Sequence, residues 1–149
     1  MREQWGGGGA ICDISIMRDS MIRDGLLNPA INHLLSRVRH TNFLLISDRG
    51  FPTIPQVEII DISLVADMPR VLDVLHAVRA NFECRRALMS TEFREVHAAD
   101  LQRAYETAMS GIEIDWIPHV EFKRRALQVI GIIRTGDSAR FGNVLLESG

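Results

Sequence analysis

Apolar and polar positions recur along this chain in two alternating periods. After Asn28 and Pro29, a capping side chain and a first-turn proline, Ile31, Leu34, Leu35 and Val38 fall at the spacing of one buried helical face; they predict a helix ending near Arg39. Residues 43–46 form a short apolar run that stops at Ser47, Asp48, Arg49 and Gly50, as a buried strand does on entering a loop. Residues 57–62 predict a second strand. Pro69 can open a helix carrying Val71, Leu72, Val74, Leu75 and Val78, with a strand over 86–89 and a further helical period over 100–109. Ile112, Ile114 and Trp116 alternate with Glu113 and Asp115, the signature of a half-exposed strand, and residues 120–127 fit a short helix. Residues 129–133 and 144–146 complete the strand set. Strands that alternate with helices favour parallel pairing, so the expected fold is α/β: a three-layer sandwich with a single mixed, mostly parallel sheet covered by helices.

Composition narrows the function classes. The 149 residues suit one domain, and a formal net charge of -2 with 24% charged residues lacks the basic excess of a nucleic-acid binder. A neutral partner is expected. Cys12 and Cys84 lie far apart, in no metal-ligand or redox spacing, and read as reduced thiols. No apolar run approaches the roughly 18 residues of a membrane span, and the N-terminus lacks a secretory pattern, so the expected setting is cytoplasmic, with no membrane partner. Residues 6–9 are all glycine. Residues 1–20 therefore read as a flexible N-terminal extension and residues 21–149 as the domain, with Met17 and Met21 both able to begin it.

Among five histidines, His33 and His76 fall inside predicted helices and His97 just before one, where packing or surface roles are ordinary. His40 and His119 stand at element boundaries, where a side chain can project into a cleft. Asp48 ends a strongly apolar strand, a common place for functional groups in α/β folds, although a turn carboxylate would look the same. The segment Arg134, Thr135, Gly136, Asp137 lacks the glycine spacing of a phosphate loop.

Taken in order, several segments resemble one family, the D-ribose pyranases and L-fucose mutarotases, from about Met21 to Gly149. Asp24-Gly25-Leu26-Leu27-Asn28 resembles its opening, and Arg39-His40-Thr41-Asn42 its Gly-His-Thr-Asp segment. Ser47-Asp48-Arg49-Gly50-Phe51-Pro52 is similar to its Ala-Asp loop, and Asp61-Ile62-Ser63-Leu64 to the ribose branch. His119-Val120-Glu121-Phe122-Lys123, Ile133-Arg134-Thr135-Gly136-Asp137 and Phe141-Gly142-Asn143 resemble three later motifs. The shared order and spacing, more than any one motif, carry the resemblance.

The resemblance implies an isomerase that interconverts ring forms of a free monosaccharide with no cofactor and no metal. It implies His40 as the proton-transferring residue, Asp48 and His119 as partners of sugar hydroxyls, and Phe141, Gly142 and Asn143 as the rest of the pocket. It further implies a ring-shaped homo-oligomer in which the 141–143 segment reaches a neighbouring subunit's pocket. Histidine suits the chemistry, because an unperturbed pKa near 6.5 leaves both protonation states accessible. Two positions depart from the pattern: Asn42 stands where the family has Asp, and Phe141 where it has Tyr. Ribose-type activity is favoured by Arg134-Thr135-Gly136 and Asp61-Ile62-Ser63-Leu64, and a fucose mutarotase by Phe51-Pro52 and Gly142-Asn143. Phe141 and Asn42 motivate an alternative of another class, a non-catalytic sugar-binding or transport-accessory protein. An interaction module without a small-molecule site would leave the ordered motifs unexplained.

Overall fold

The computed structural model describes residues 25–149. The extension expected over residues 1–20, Cys12 and the start of the first family-like segment lie outside the described residues. The elements run α1 (Pro29–Arg37), β1 (Phe43–Ser47), β2 (Glu58–Asp61), α2 (Val71–Asn81), β3 (Cys84–Ser90), α3 (Thr91–Val96), α4 (Ala99–Ala108), β4 (Glu113–Ile117), α5 (His119–Ala126), β5 (Gly131–Arg134) and β6 (Val144–Ser148). One six-stranded sheet has the order β2-β5-β1-β6-β3-β4. Its β1–β5, β2–β5 and β3–β4 pairs are parallel, and only β6 runs antiparallel to its neighbours β1 and β3. The sheet is thus mixed and mostly parallel, as the alternation of strands and helices predicts.

Both faces of the central strands are buried, which explains why they read as continuous apolar runs rather than alternating ones. Leu44 and Ile46 of β1, Ile133 of β5, Val144 and Leu146 of β6, and Ala87 and Met89 of β3 face one core. Leu45, Ile132, Leu145 and Leu88, one residue out of phase, face the other. The first core is roofed by helices α1 to α4, through residues such as Leu34, Leu75, Phe93 and Tyr105. The second is covered by α5, through Phe122 and Ala126, and by the loop that carries Phe51 and Ile54. The three layers are therefore unequal. At Gly131 the sheet passes so close beneath α1 that a Cβ there would stand 2.6 Å from Leu34 Cδ1.

Several boundaries differ from the sequence pattern. Asn28 does cap α1, its side chain accepting from Ile31 N–H at 3.1 Å. Helix α2 begins at Val71 rather than at Pro69, because the Pro69 carbonyl accepts from Gly136 N–H at 2.9 Å and Arg70 stays extended as the cap. Helix α3 was not legible: six residues with one buried apolar side chain, Phe93, show no period.

The topology sorts the loops into two groups. The C-terminal ends of the five mutually parallel strands, and the start of β6, share one edge of the sheet; the start of β1 and the end of β6 share the other. Asp48, Ser90, His119 and Asn143 belong to the first edge, where open α/β sheets place their ligands. His40 belongs to the second.

Candidate functional site

A cleft of about 220 Å³ at the first edge is lined by Asp48, Gly50, Phe51, Pro52, His119, Lys123, Arg140, Phe141 and Asn143. That volume lies below the roughly 300–1,000 Å³ of drug-sized sites and suits one small ring. A neighbouring groove of about 280 Å³ is walled by Phe51, Pro52, Ile54, Pro55 and Leu127. Thr53, Lys123 and Arg124 complete the lining of this groove, which holds no carboxylate or imidazole, whereas the smaller cleft gathers Asp48, His119 and Asn143.

The cleft is built from residues that the chain brings together over long distances. Asp48 N–H donates to Asn143 Oδ1 at 2.8 Å, and Asn143 Nδ2 returns a bond to Asp48 Oδ2 at 3.2 Å across 95 residues of sequence. Gly50 N–H donates to Asp48 Oδ1 at 2.9 Å. Burial nonetheless pushes the Asp48 carboxyl above its usual range, against the lowering effect of the Gly50, Asn143 and Phe51 bonds, and the nearby Asp137 charge adds to the rise. Asp48 is thus a desolvated carboxylate whose fixed lone pairs suit sugar hydroxyls.

His119 opens α5, and its backbone N–H donates to the Glu92 carboxylate at 3.0 and 3.1 Å, which anchors the helix start to α3. Its Nδ1 lies 2.8 Å from the buried Ser90 hydroxyl, so Nε2 is the ring nitrogen left for a ligand. The ring stacks on Phe122 (6.0 Å between centroids) and meets the edge of Phe141 (4.9 Å, 80°). Burial depresses the His119 pKa, with the Lys123 charge adding to the effect and Glu92 and Asp48 opposing it. The imidazole is accordingly neutral near pH 7.

The Arg134-Thr135-Gly136-Asp137 segment is a brace for the cleft. Thr135 donates from both N–H (3.0 Å) and hydroxyl (2.8 Å) to the Ser47 carbonyl, and Asp137 accepts from Val71 N–H and Ala139 N–H at 2.9 and 2.8 Å. A Cβ on Gly136 would lie 2.3 Å from the Val65 carbonyl oxygen, so only glycine fits there. Arg134 donates to the Phe51 carbonyl at 3.1 Å and so steadies the cleft's other wall.

The sequence-derived residues do not all meet. Asp48, His119, Phe141 and Asn143 line one cleft within one chain. Gly142 is buried behind Phe141, its carbonyl accepting from the Tyr105 hydroxyl at 3.1 Å. Phe141 and Asn143 of the 141–143 segment thus line the same cleft as Asp48 and His119 of their own chain. The residue that stands apart is His40, exposed beyond the other end of β1 beside Arg39, Asn81, Phe82 and Ser148. The stretch from Phe43 to Asp48 alone separates the two edges by roughly 16 Å. Asn42, at the first departure from the family pattern, closes the His40 turn by accepting Arg39 N–H at 2.8 Å, a bond that an aspartate would also make. Lys123 and Arg140 line the cleft although the sequence reading assigned them no role. Lys123 sat inside a recognised motif, whereas nothing in the local sequence marks Arg140.

The fold and the cleft are those of an α/β domain that gathers a buried carboxylate, an imidazole and an amide at one small site. Comparison with known proteins makes this specific: residues 21–149 match the model of the RbsD / FucU transport protein family, and the chain belongs to that family. It is 36% identical over 129 residues to the D-ribose pyranase of Chromobacterium violaceum, covering 87% of this chain and 98% of that protein. The D-ribose pyranase of Geobacillus kaustophilus is 33% identical, with 87% and 94% covered. The structure of Bacillus subtilis RbsD complexed with D-ribose superposes with a TM-score of 0.80 at 26% identity, over 87% of this chain and 98% of that one. Fucose mutarotase from Streptococcus pneumoniae, solved in complex with L-fucose, shares the fold at a TM-score of 0.70 and 14% identity, with 82% and 92% covered.

Proposed function

We propose that this protein interconverts ring forms of a free monosaccharide, with D-ribose ahead of L-fucose as substrate. The observation that carries the reading is the cleft itself: Asp48, His119 and Asn143 converge on a space sized for one sugar ring, in a chain whose 36%-identical relative is a D-ribose pyranase. The ribose preference rests on the named pyranases at 28–36% identity, against 14% for the fucose mutarotase structure.

Ring opening requires a base that takes the anomeric hydroxyl proton while the bond from the anomeric carbon to the ring oxygen breaks and that oxygen gains a proton. The open aldehyde then recloses through another hydroxyl or from its opposite face, returning both protons, so no cofactor is consumed. In this reading Asp48 and His119 hold sugar hydroxyls, Asn143 fixes the Asp48 carboxylate, and Phe141 forms an apolar wall. His40 is the proton-transferring residue, and because it stands at the far edge of its own sheet, it is supplied to the cleft by a second copy in a ring-shaped homo-oligomer. The relevant compartment is the cytoplasm.

A non-catalytic sugar-binding protein is the second reading, favoured by Phe141, which offers the sugar no hydroxyl. NMR exchange spectroscopy on a panel of free sugars separates the two. The expected result is faster pyranose–furanose exchange of D-ribose on adding the protein, with little effect on L-fucose. Ribose that binds with no acceleration would establish the binder, and acceleration of fucose alone would reverse the substrate assignment.

A further inference from the structure

We infer that Tyr105 and His97 are positioning residues for the sugar cleft, acting as a two-point clamp on the backbone either side of Phe141. This rests on the cleft being the sugar site, although the clamp itself is a geometric claim. Phe141 has φ of 61°, in the left-handed region that a bulky side chain adopts only when its surroundings hold it there. Its two neighbours are the ones that are held. The Arg140 carbonyl lies 2.6 Å from His97 Nε2, and the Gly142 carbonyl accepts from the Tyr105 hydroxyl at 3.1 Å.

Both holding groups are themselves fixed. Tyr105 is fully buried, and burial pushes its phenol well above the ordinary range, which keeps the hydroxyl protonated as a donor. Phe93 packs against the His97 and Tyr105 rings, each at 4.7 Å, and stacks on Trp116 at 6.3 Å. The fit to the loop is close: a Cβ on Gly142 would come within 2.8 Å of the Tyr105 hydroxyl. The aromatic cluster on α3, α4 and β4 therefore ends on the two peptide groups that set where Phe141 points. What they set is a ring whose edge meets the His119 imidazole at 4.9 Å, so the clamp fixes both the apolar wall and the orientation of a hydroxyl-binding histidine.

Neither Tyr105 nor His97 lines the cleft, so their removal should act on binding geometry and leave proton transfer alone. Tyr105→Phe keeps the ring and deletes the hydroxyl; His97→Gln can retain a donor near the Nε2 position, whereas His97→Phe cannot. In ribose exchange kinetics, Tyr105→Phe and His97→Phe should each raise KM about 3- to 10-fold with kcat within about 2-fold, and His97→Gln should recover most of the loss. The same variants, labelled at histidine and phenylalanine, report the clamp without any activity. The nuclear Overhauser contact between the Phe141 and His119 rings should be present in the parent protein and His97→Gln, and weakened in Tyr105→Phe and His97→Phe. A contact unchanged in Tyr105→Phe, or losses confined to melting temperature with KM and kcat intact, would overturn the clamp. If His97→Phe does not fold, Tyr105→Phe alone decides. A protein that shows the contact pattern yet exchanges no sugar would sink the proposed function and leave the clamp standing.

Discussion

Replacing His40 with alanine should lower catalysed ribose exchange by about 10²- to 10⁴-fold, the usual contribution of a general acid or base. The fold should be untouched, because the His40 side chain is exposed and packs into neither core. Ribose should still saturate the protein, since Asp48, His119, Phe141 and Asn143 remain in place at the opposite edge of the sheet. A loss of that size from a residue more than a strand's length from the cleft has one physical route, contact between copies of the chain. Light scattering on the active species should accordingly report several subunits, and dilution that dissociates them should abolish exchange. A fully active monomer would contradict this assignment of His40.

The second large effect concerns His119. His119→Ala should raise KM about 10-fold while changing kcat by no more than ~3-fold, as expected for a residue that holds a hydroxyl in ground and transition states alike. In the parent protein the same interaction should fade in acid. Burial and Lys123 hold the His119 pKa below its ordinary value, so the folded protein carries a neutral ring at pH 7 and gains a proton only below about pH 6.5. Protonation also favours the unfolded chain, whose histidine titrates normally. The stability linked to the buried neutral ring is thus fully present above about pH 6.5 and is lost as pH falls through the depressed folded value. KM measured from pH 7.5 to 5 should rise in the parent and stay flatter in His119→Ala. A reversed pattern, with kcat abolished at saturating ribose in His119→Ala and near-normal in His40→Ala, would exchange the two roles.

Particular residues show how far the sequence could be read. The strand β1 was legible because both its faces are buried and it is apolar throughout, and Asp48 followed from where that strand stops. Helix α5 was legible as a short helix over 120–127, which put His119 at its boundary; the observed helix begins on that residue. The separation of His40 from Asp48 was also present in the sequence, since residues that bracket one strand lie at opposite edges of a sheet. The resemblance grouped them by motif and implied a pocket shared between copies through the 141–143 segment, without separating His40 from Asp48. The bond between Asp48 and Asn143 spans 95 residues and depends on β6 lying antiparallel beside β1, a pairing that no local period announces. His97 read as uninformative because its partner is a backbone carbonyl, which every residue possesses. Tyr105 showed only helical periodicity, and its hydroxyl acquires a task only once Gly142 is folded against it.

The central claim is that one chain contributes Asp48 and His119 while a neighbouring copy contributes His40. It is tested most directly by mixing two disabled chains. His40→Ala and Asp48→Asn, each assayed alone for ribose exchange, should be nearly inactive, the first for want of a proton-transferring group and the second for want of the carboxylate that holds the sugar. Unfolded together in equal amounts and refolded, they should regain about one quarter of the parent activity, because about half the clefts keep Asp48 and about half of those face an intact His40. A refolded mixture of native mass that stays as inactive as either variant would contradict the account.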